Sequence, residues 1–121
     1  MSRPVDVALS RSAALLTIEW DDGIVSRLPI DYLRGWCPCA GCQGHGPVVE
    51  FHESPPGQGI ELMAEAGSYA LHLRFSDGHD TGIYTWTWLR QIAPESPPLG
   101  EKRGRFAGGE FRPKTGQDRT T

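Results

Sequence analysis

The chain has 121 residues and a mass of 13.3 kDa, room for one domain, since domains cluster around ~100–150 residues. Gly and Pro together fill about a fifth of the positions, against roughly an eighth in average proteins, which points to many loops around a modest core. A formal net charge of −3 and a pI near 5.7 speak against general nucleic-acid binding; no run of ~18 apolar residues offers a membrane span, and the length leaves no space for a complete oxygenase or dehydrogenase domain.

Taken in chain order, the stretch from Met1 to Ser10 lacks the apolar core and small-residue cleavage site of a secretory signal, so the expected location is the cytoplasm. Leu15-Leu-Thr-Ile-Glu-Trp20 has the β-branched and aromatic character of a strand. Asp22-Gly23 is a hairpin turn, because Gly accepts positive φ, and Ile24 to Leu28 forms the returning strand. Pro29 suits a first helical turn and opens a short helix from Ile30 to about Gly35. Residues 44–59 are dense in Gly and Pro and read as a long loop, with a short strand at Val48 to Phe51. Ile60 to Met63 is the next strand. Ser68 to Phe75 then alternates, placing Tyr69, Leu71, Leu73 and Phe75 on one face and Ala70, His72 and Arg74 on the other. Asp77-Gly78-His79-Asp80 is a turn and Gly82 to Tyr84 a short strand. Thr85 or Thr87 caps a last helix, Trp86 to Ile92, which Pro94 stops. The fold class expected is α+β: a small antiparallel sheet with two or three short helices.

Charge divides the chain near Pro94. Residues 94–121 hold six Lys/Arg and four Asp/Glu, and residues 1–93 hold six and eleven. The Pro-, Gly- and charge-rich tail reads as disordered, because it has too little apolar surface to offset its ordering entropy. The folded domain is then 1–93, small enough that a metal staple is a natural supplement to its core.

The three cysteines, Cys37, Cys39 and Cys42, fall within six residues. An odd number in a reducing compartment is no disulfide framework. In Cys37-Pro-Cys39-Ala-Gly-Cys42, Pro and Gly suit a tight loop in which the peptide doubles back and the thiolates converge on one ion. Tetrahedral zinc wants four soft or borderline ligands, so a fourth is needed from His45, His52, His72 or His79. His79 is best placed, in a Gly-containing turn at a strand end. His45 could close a local ring, although a solvated loop histidine is the simpler reading; His52 sits by Pro55-Pro56, where exposure is expected, and His72 reads as a half-exposed strand residue. The C-x-C-x-x-C spacing alone also fits an iron–sulfur site or a redox motif.

Trp20-Asp-Asp-Gly23, Leu33-Arg34, the cysteine knuckle, Gly67-Ser-Tyr-Ala70 and Phe75-Ser-Asp-Gly-His-Asp-Thr-Gly-Ile-Tyr84 stand in order, followed by Trp86 and Leu89-Arg90. This constellation, from about Leu15 to Ile92, resembles the N-terminal domain of gamma-butyrobetaine hydroxylase, also widespread in bacteria as a small stand-alone domain of unknown function (DUF971-like). The resemblance implies zinc bound by Cys37, Cys39, Cys42 and His79. It does not imply hydroxylase activity, which in that enzyme belongs to a second domain holding iron and 2-oxoglutarate. Similar domains are fused to P-loop ATPases of iron–sulfur cluster assembly, but no G-x-x-x-x-G-K-[ST] occurs here.

Several other residues admit two readings. Asp77 and Asp80 either orient the imidazole of His79 or serve the turn itself. Asp21 and Asp22 read as turn residues rather than an acid/base pair. Trp20, Trp36, Trp86 and Trp88 suit a small core, with Trp88 a candidate partner surface if Trp86 faces inward. Arg34 and Arg90 read as solvated helix residues or as partners of sheet-edge carboxylates, and the basic Lys102-Arg103-Gly-Arg105 run as solvated or as a contact for an acidic partner. The whole points to a non-enzymatic accessory or protein-interaction domain with structural zinc and a protein partner; the alternative is an iron–sulfur assembly or carrier accessory using the same cysteines.

Overall fold

The computed structural model describes residues 3–38, 48–79, 82–107 and 110–113. Alternation and turn chemistry build its first sheet. Strand β1 (Pro4–Ser10) turns back into β2 (Leu15–Trp20), which pairs antiparallel with β3 (Val25–Pro29) in the order β1-β2-β3. The period of two on β2 sends Leu16, Ile18 and Trp20 inward. Gly23, at φ +88°, makes the hairpin that Asp22-Gly23 signals. The Trp20 indole N–H donates to Ser26 Oγ at 2.8 Å, so the one polar side chain buried on β3 is satisfied. Strand β1 was not expected from the sequence: only Val7 and Leu9 of its seven residues pack against the core, too few to give a clear alternation.

Pro29 leads directly into helix α1 (Ile30–Gly35), which buries Ile30, Tyr32 and Leu33. A second sheet follows, with β5 (Ile60–Ala66), β6 (Ala70–Phe75) and β7 (Gly82–Thr85) in sequence order and antiparallel. Leu71, Leu73 and Phe75 face the core as the alternation predicts, whereas Tyr69 stands in the turn before β6 and is largely exposed. The Arg11 guanidinium donates to the Ile60 carbonyl and ties the β1–β2 turn to this sheet. Helix α2 (Trp86–Ile92) begins where Thr85 Oγ1 accepts the Trp88 N–H at 3.0 Å. The observed architecture is therefore mostly β, with two described helices.

The expectation of disorder from Pro94 onward does not hold over the described part of that segment. Residues 104–107 and 110–113 form β8 (Gly104–Ala107) and β9 (Glu110–Pro113), which join β4 (Val49–Glu50) in a third sheet of order β4-β8-β9. Composition hid this because few side chains carry the docking. Phe106 enters an aromatic cluster with Trp36, Trp88 and Phe111 at centroid distances of 5.3–5.6 Å. Backbone groups do much of the rest: Trp36 Nε1 donates to the Lys102 carbonyl at 2.8 Å, and the Phe51 N–H to that of Gly104 at 2.8 Å. Trp88 is correspondingly no exposed partner surface; it is half-buried, and its Nε1 donates to the Trp36 carbonyl at 3.1 Å.

Tyr32 joins the two helices to this segment. Its hydroxyl donates to the Ile92 carbonyl at 2.6 Å and accepts the Lys102 N–H at 2.9 Å. Burial, opposed by the hydrogen bond from the Lys102 amide, pushes its pKa up to about 12. A folded-state value above the unfolded one means that the contribution is whole below pH ~10 and is lost as pH rises through about 12. Alkaline unfolding monitored by circular dichroism should therefore steepen over that interval. In Tyr32→Phe the Tyr32-dependent part of this steepening should vanish, with about 1–3 kcal/mol lost at neutral pH, because a buried donor and a buried acceptor are left without their partner.

Candidate functional site

Helix α1 ends at Gly35, and Trp36 and Cys37 follow in its last, uncoiling turn: the Trp36 N–H donates to the Leu33 carbonyl and that of Cys37 to the Arg34 carbonyl. The Cys37 side chain is thereby turned inward and fully buried. From the other side comes the β6–β7 turn. Gly78, at φ +89°, lets the chain reverse, its N–H donating to the Phe75 carbonyl at 3.0 Å, and Phe75 N–H donates to the His79 carbonyl at 2.8 Å. This places His79 Nε2 3.0 Å from Cys37 Sγ across 42 positions of sequence.

Two contacts hold the loops in register. Arg34 Nε pairs with Asp77 Oδ2 at 3.2 Å, and the Tyr84 hydroxyl donates to the Leu33 carbonyl at 2.6 Å. Asp77 Oδ1 accepts the His79 N–H at 3.1 Å, so this carboxylate serves the turn and α1. Partial burial works to raise its pKa, but the His79 amide and then the Arg34 guanidinium outweigh it and hold the carboxyl below its ordinary range. Asp77→Ala removes the turn bond and the ion pair together and should cost about 1–2 kcal/mol in a urea titration. Arg90 likewise pairs with Asp22 at 2.7 Å and lies over the Trp20 ring; for both arginines the carboxylate-partner reading is the one observed.

Of the four residues that the resemblance implies as ligands, Cys37 and His79 are brought together; Cys39 and Cys42 lie outside the described residues, as do His45 and Asp80. His52 is exposed, and His72 stands half-buried on β6 opposite Ala64 and Ile83. Among the described residues no three His, Cys, Asp or Glu side chains gather at one point. The donor chemistry fits zinc. In a tetrahedral site, bond lengths of about 2.3 Å to sulfur and 2.0–2.1 Å to nitrogen set those atoms roughly 3.5 Å apart, and the observed pair lies within about half an ångström of that edge. Two residues of the site escaped sequence reasoning. Tyr84 stands in the sequence as a strand residue that closes the family-like motif, and nothing in a strand pattern shows that its hydroxyl reaches α1. Gly82 is a glycine because a Cβ there would meet the Tyr84 ring at 2.9 Å and Cys37 Sγ at 3.5 Å.

Comparison with known proteins agrees with this arrangement of elements. Residues 7–90 match the model of the family described as gamma-butyrobetaine hydroxylase-like, N-terminal. Among solved structures, the chain is 32% identical to a protein of unknown function of the DUF971 family from Acidithiobacillus ferrooxidans, with a TM-score of 0.62 over 74% of this chain and 90% of that one. It is 33% identical to a second protein, solved by NMR in solution, with a TM-score of 0.64 over 77% of this chain and 70% of that one. Curated proteins gave no match. Among the described residues no helix is long and apolar enough to cross a membrane. By the extent of the family match and the identity to these structures, the chain belongs to the gamma-butyrobetaine hydroxylase-like N-terminal domain family.

Proposed function

We propose that this is a zinc-stapled accessory domain that works by binding another protein. The observation that carries the reading is the convergence of a buried cysteine and a turn histidine, 3.0 Å apart, from two loops pinned to each other by Arg34–Asp77 and Tyr84–Leu33. Cys37, Cys39, Cys42 and His79 would hold the ion. Three thiolates and one imidazole complete a tetrahedron and leave no position for an exchangeable water, which makes the zinc a structural ion rather than a hydrolytic one. What it supplies is a cross-link between the exit of α1 and the β6–β7 turn. The protein's own residues set the entry to that cross-link: Gly82 leaves room for the Tyr84 ring, whose hydroxyl holds α1 at Leu33, and Asp77 fixes the backbone at His79. The partner and the cytoplasmic location belong to the same proposal.

Anaerobic purification followed by metal analysis and an absorption spectrum tests it. A colourless protein with one zinc per chain is the expected result. Iron with absorbance near 400 nm would replace the zinc reading by the iron–sulfur one, in which the same cysteines hold a cluster.

A further inference from the structure

The family match ends at residue 90, yet the chain beyond it is bound to the family domain by a specific set of contacts. Tyr32, Trp36, Phe51 and Trp88, all within the matched residues, form a chain of ring contacts on that domain. Residues 101–107 lie along it as an added strand: Val49 faces Phe106 and Glu50 faces Arg105 in antiparallel register, and the Phe51 N–H extends the ladder to Gly104. Phe106 is 6% exposed and sits 5.4 Å from the Trp36 ring and 5.3 Å from that of Trp88. Arg103 pairs with Glu53 at 3.1 Å and covers the Phe51 ring at 5.0 Å. Main-chain bonds supply affinity here and side-chain pockets supply selectivity, as in peptide recognition by strand addition. Aromatic and arginine anchors of this kind are the residues that dominate interface energies.

The root of the segment is closed by a single clasp. Lys102 is 1% exposed, and its ammonium donates to the carbonyls of Ala93 and Ser96, each at 2.7 Å, and of Gly100 at 3.4 Å. Ala93 is the buried C-cap of α2, and Ser96 and Gly100 follow in the connection to β8, so the clasp ties the root of the segment to the end of that helix. Burial pushes the lysine pKa down while Glu95 pushes it up; the clasp is a desolvated charge held by backbone dipoles. The ladder it secures is short on the domain side, because β4 has only two residues.

We propose that the ring chain of Tyr32, Trp36, Phe51 and Trp88 is a strand-accepting interaction surface, kept covered by the chain's own residues 101–107, and that it takes from a partner protein an extended segment of the same chemistry, an aromatic side chain flanked by arginines. Opening the Lys102 clasp frees that surface. The proposal is independent of whether the knuckle carries zinc.

The test uses the full chain and a labelled peptide of residues 101–113. Fluorescence anisotropy should register weak binding to the unmodified chain and binding at least ten-fold tighter to Lys102→Met, with a peptide carrying Phe106→Ala failing to bind either. Amide exchange at residues 104–107 and at Phe51 should speed up at least ten-fold in Lys102→Met, with exchange in β2 and β6 unchanged. A chain carrying Phe106→Ala, which leaves the clasp intact and empties the pocket, should also bind the unmodified peptide more tightly, and it decides the matter if Lys102→Met does not fold. Equal peptide binding by all the chains, or acceleration spread evenly through all three sheets, would overturn the proposal.

Discussion

Cys37→Ser should leave the protein without bound metal and without a stable native fold. The free energy of a structural zinc site is folding free energy and amounts to on the order of 10 kcal/mol, while a whole domain of this size is stable by only about 5–15 kcal/mol. Serine keeps the volume but gives a poor zinc ligand, and its hydroxyl would sit at a fully buried position beside His79. The measurement is zinc content together with a urea titration followed by tryptophan fluorescence. Loss of metal with collapse of the cooperative transition is the expected outcome; His79→Ala should do the same, and His45→Ala should do neither. A Cys37→Ser chain that unfolds cooperatively at an unchanged urea midpoint would remove zinc from the account of the fold.

Gly35→Ala should produce the largest loss among changes that leave the metal ligands untouched. A Cβ at position 35 would stand 2.3 Å from Phe51 Cε1 and 2.7 Å from the His52 carbonyl oxygen. Neither neighbour can yield cheaply. The Phe51 ring is held by Tyr32 at 5.8 Å, Trp36 at 5.5 Å and Arg103 at 5.0 Å, and the His52 N–H donates to the Gly35 carbonyl itself at 3.0 Å. Overpacking of this kind costs about 1–3 kcal/mol and occasionally more, and contact with backbone places this site at the upper end. Gly59→Ala is the matched control: nothing lies within 4 Å of its Cβ position, and its φ is outside the glycine-favouring range. That change should be neutral or slightly stabilising, by a few tenths of a kcal/mol to about 1, through the unfolded chain. Urea midpoints of the two variants check both values.

The elements that could be read in the sequence are those in which one local rule decides. Asp22-Gly23 needs only a residue that accepts positive φ, Pro29 only a helix start, and Thr85 only the offset to the Trp88 N–H. The β-branched and aromatic character of its residues located β2, and hydrophobic alternation located β6, because each has one face in the core. Alternation failed at β1, an edge strand with two core contacts, and at β8, where Gly104 and Phe106 point inward and the intervening Arg105 outward. Lys102 misled for a physical reason. A lysine in a basic run reads as solvated, whereas three backbone carbonyls of the preceding loop make a desolvated place for its ammonium. The candidate site was half legible: residue chemistry selected Cys37 and His79, but their meeting depends on Tyr84 reaching Leu33 and Arg34 reaching Asp77, contacts that only the packed α1 and β7 create.

Zinc-edge X-ray absorption on the full chain tests the central claim most directly, because it reads ligand number and type at the metal itself. The account predicts one zinc per chain with three sulfur ligands at about 2.3 Å and one nitrogen at about 2.0–2.1 Å, and no bound zinc in His79→Ala. A first shell containing oxygen in the unmodified chain, or a folded chain that takes up no zinc, would contradict it.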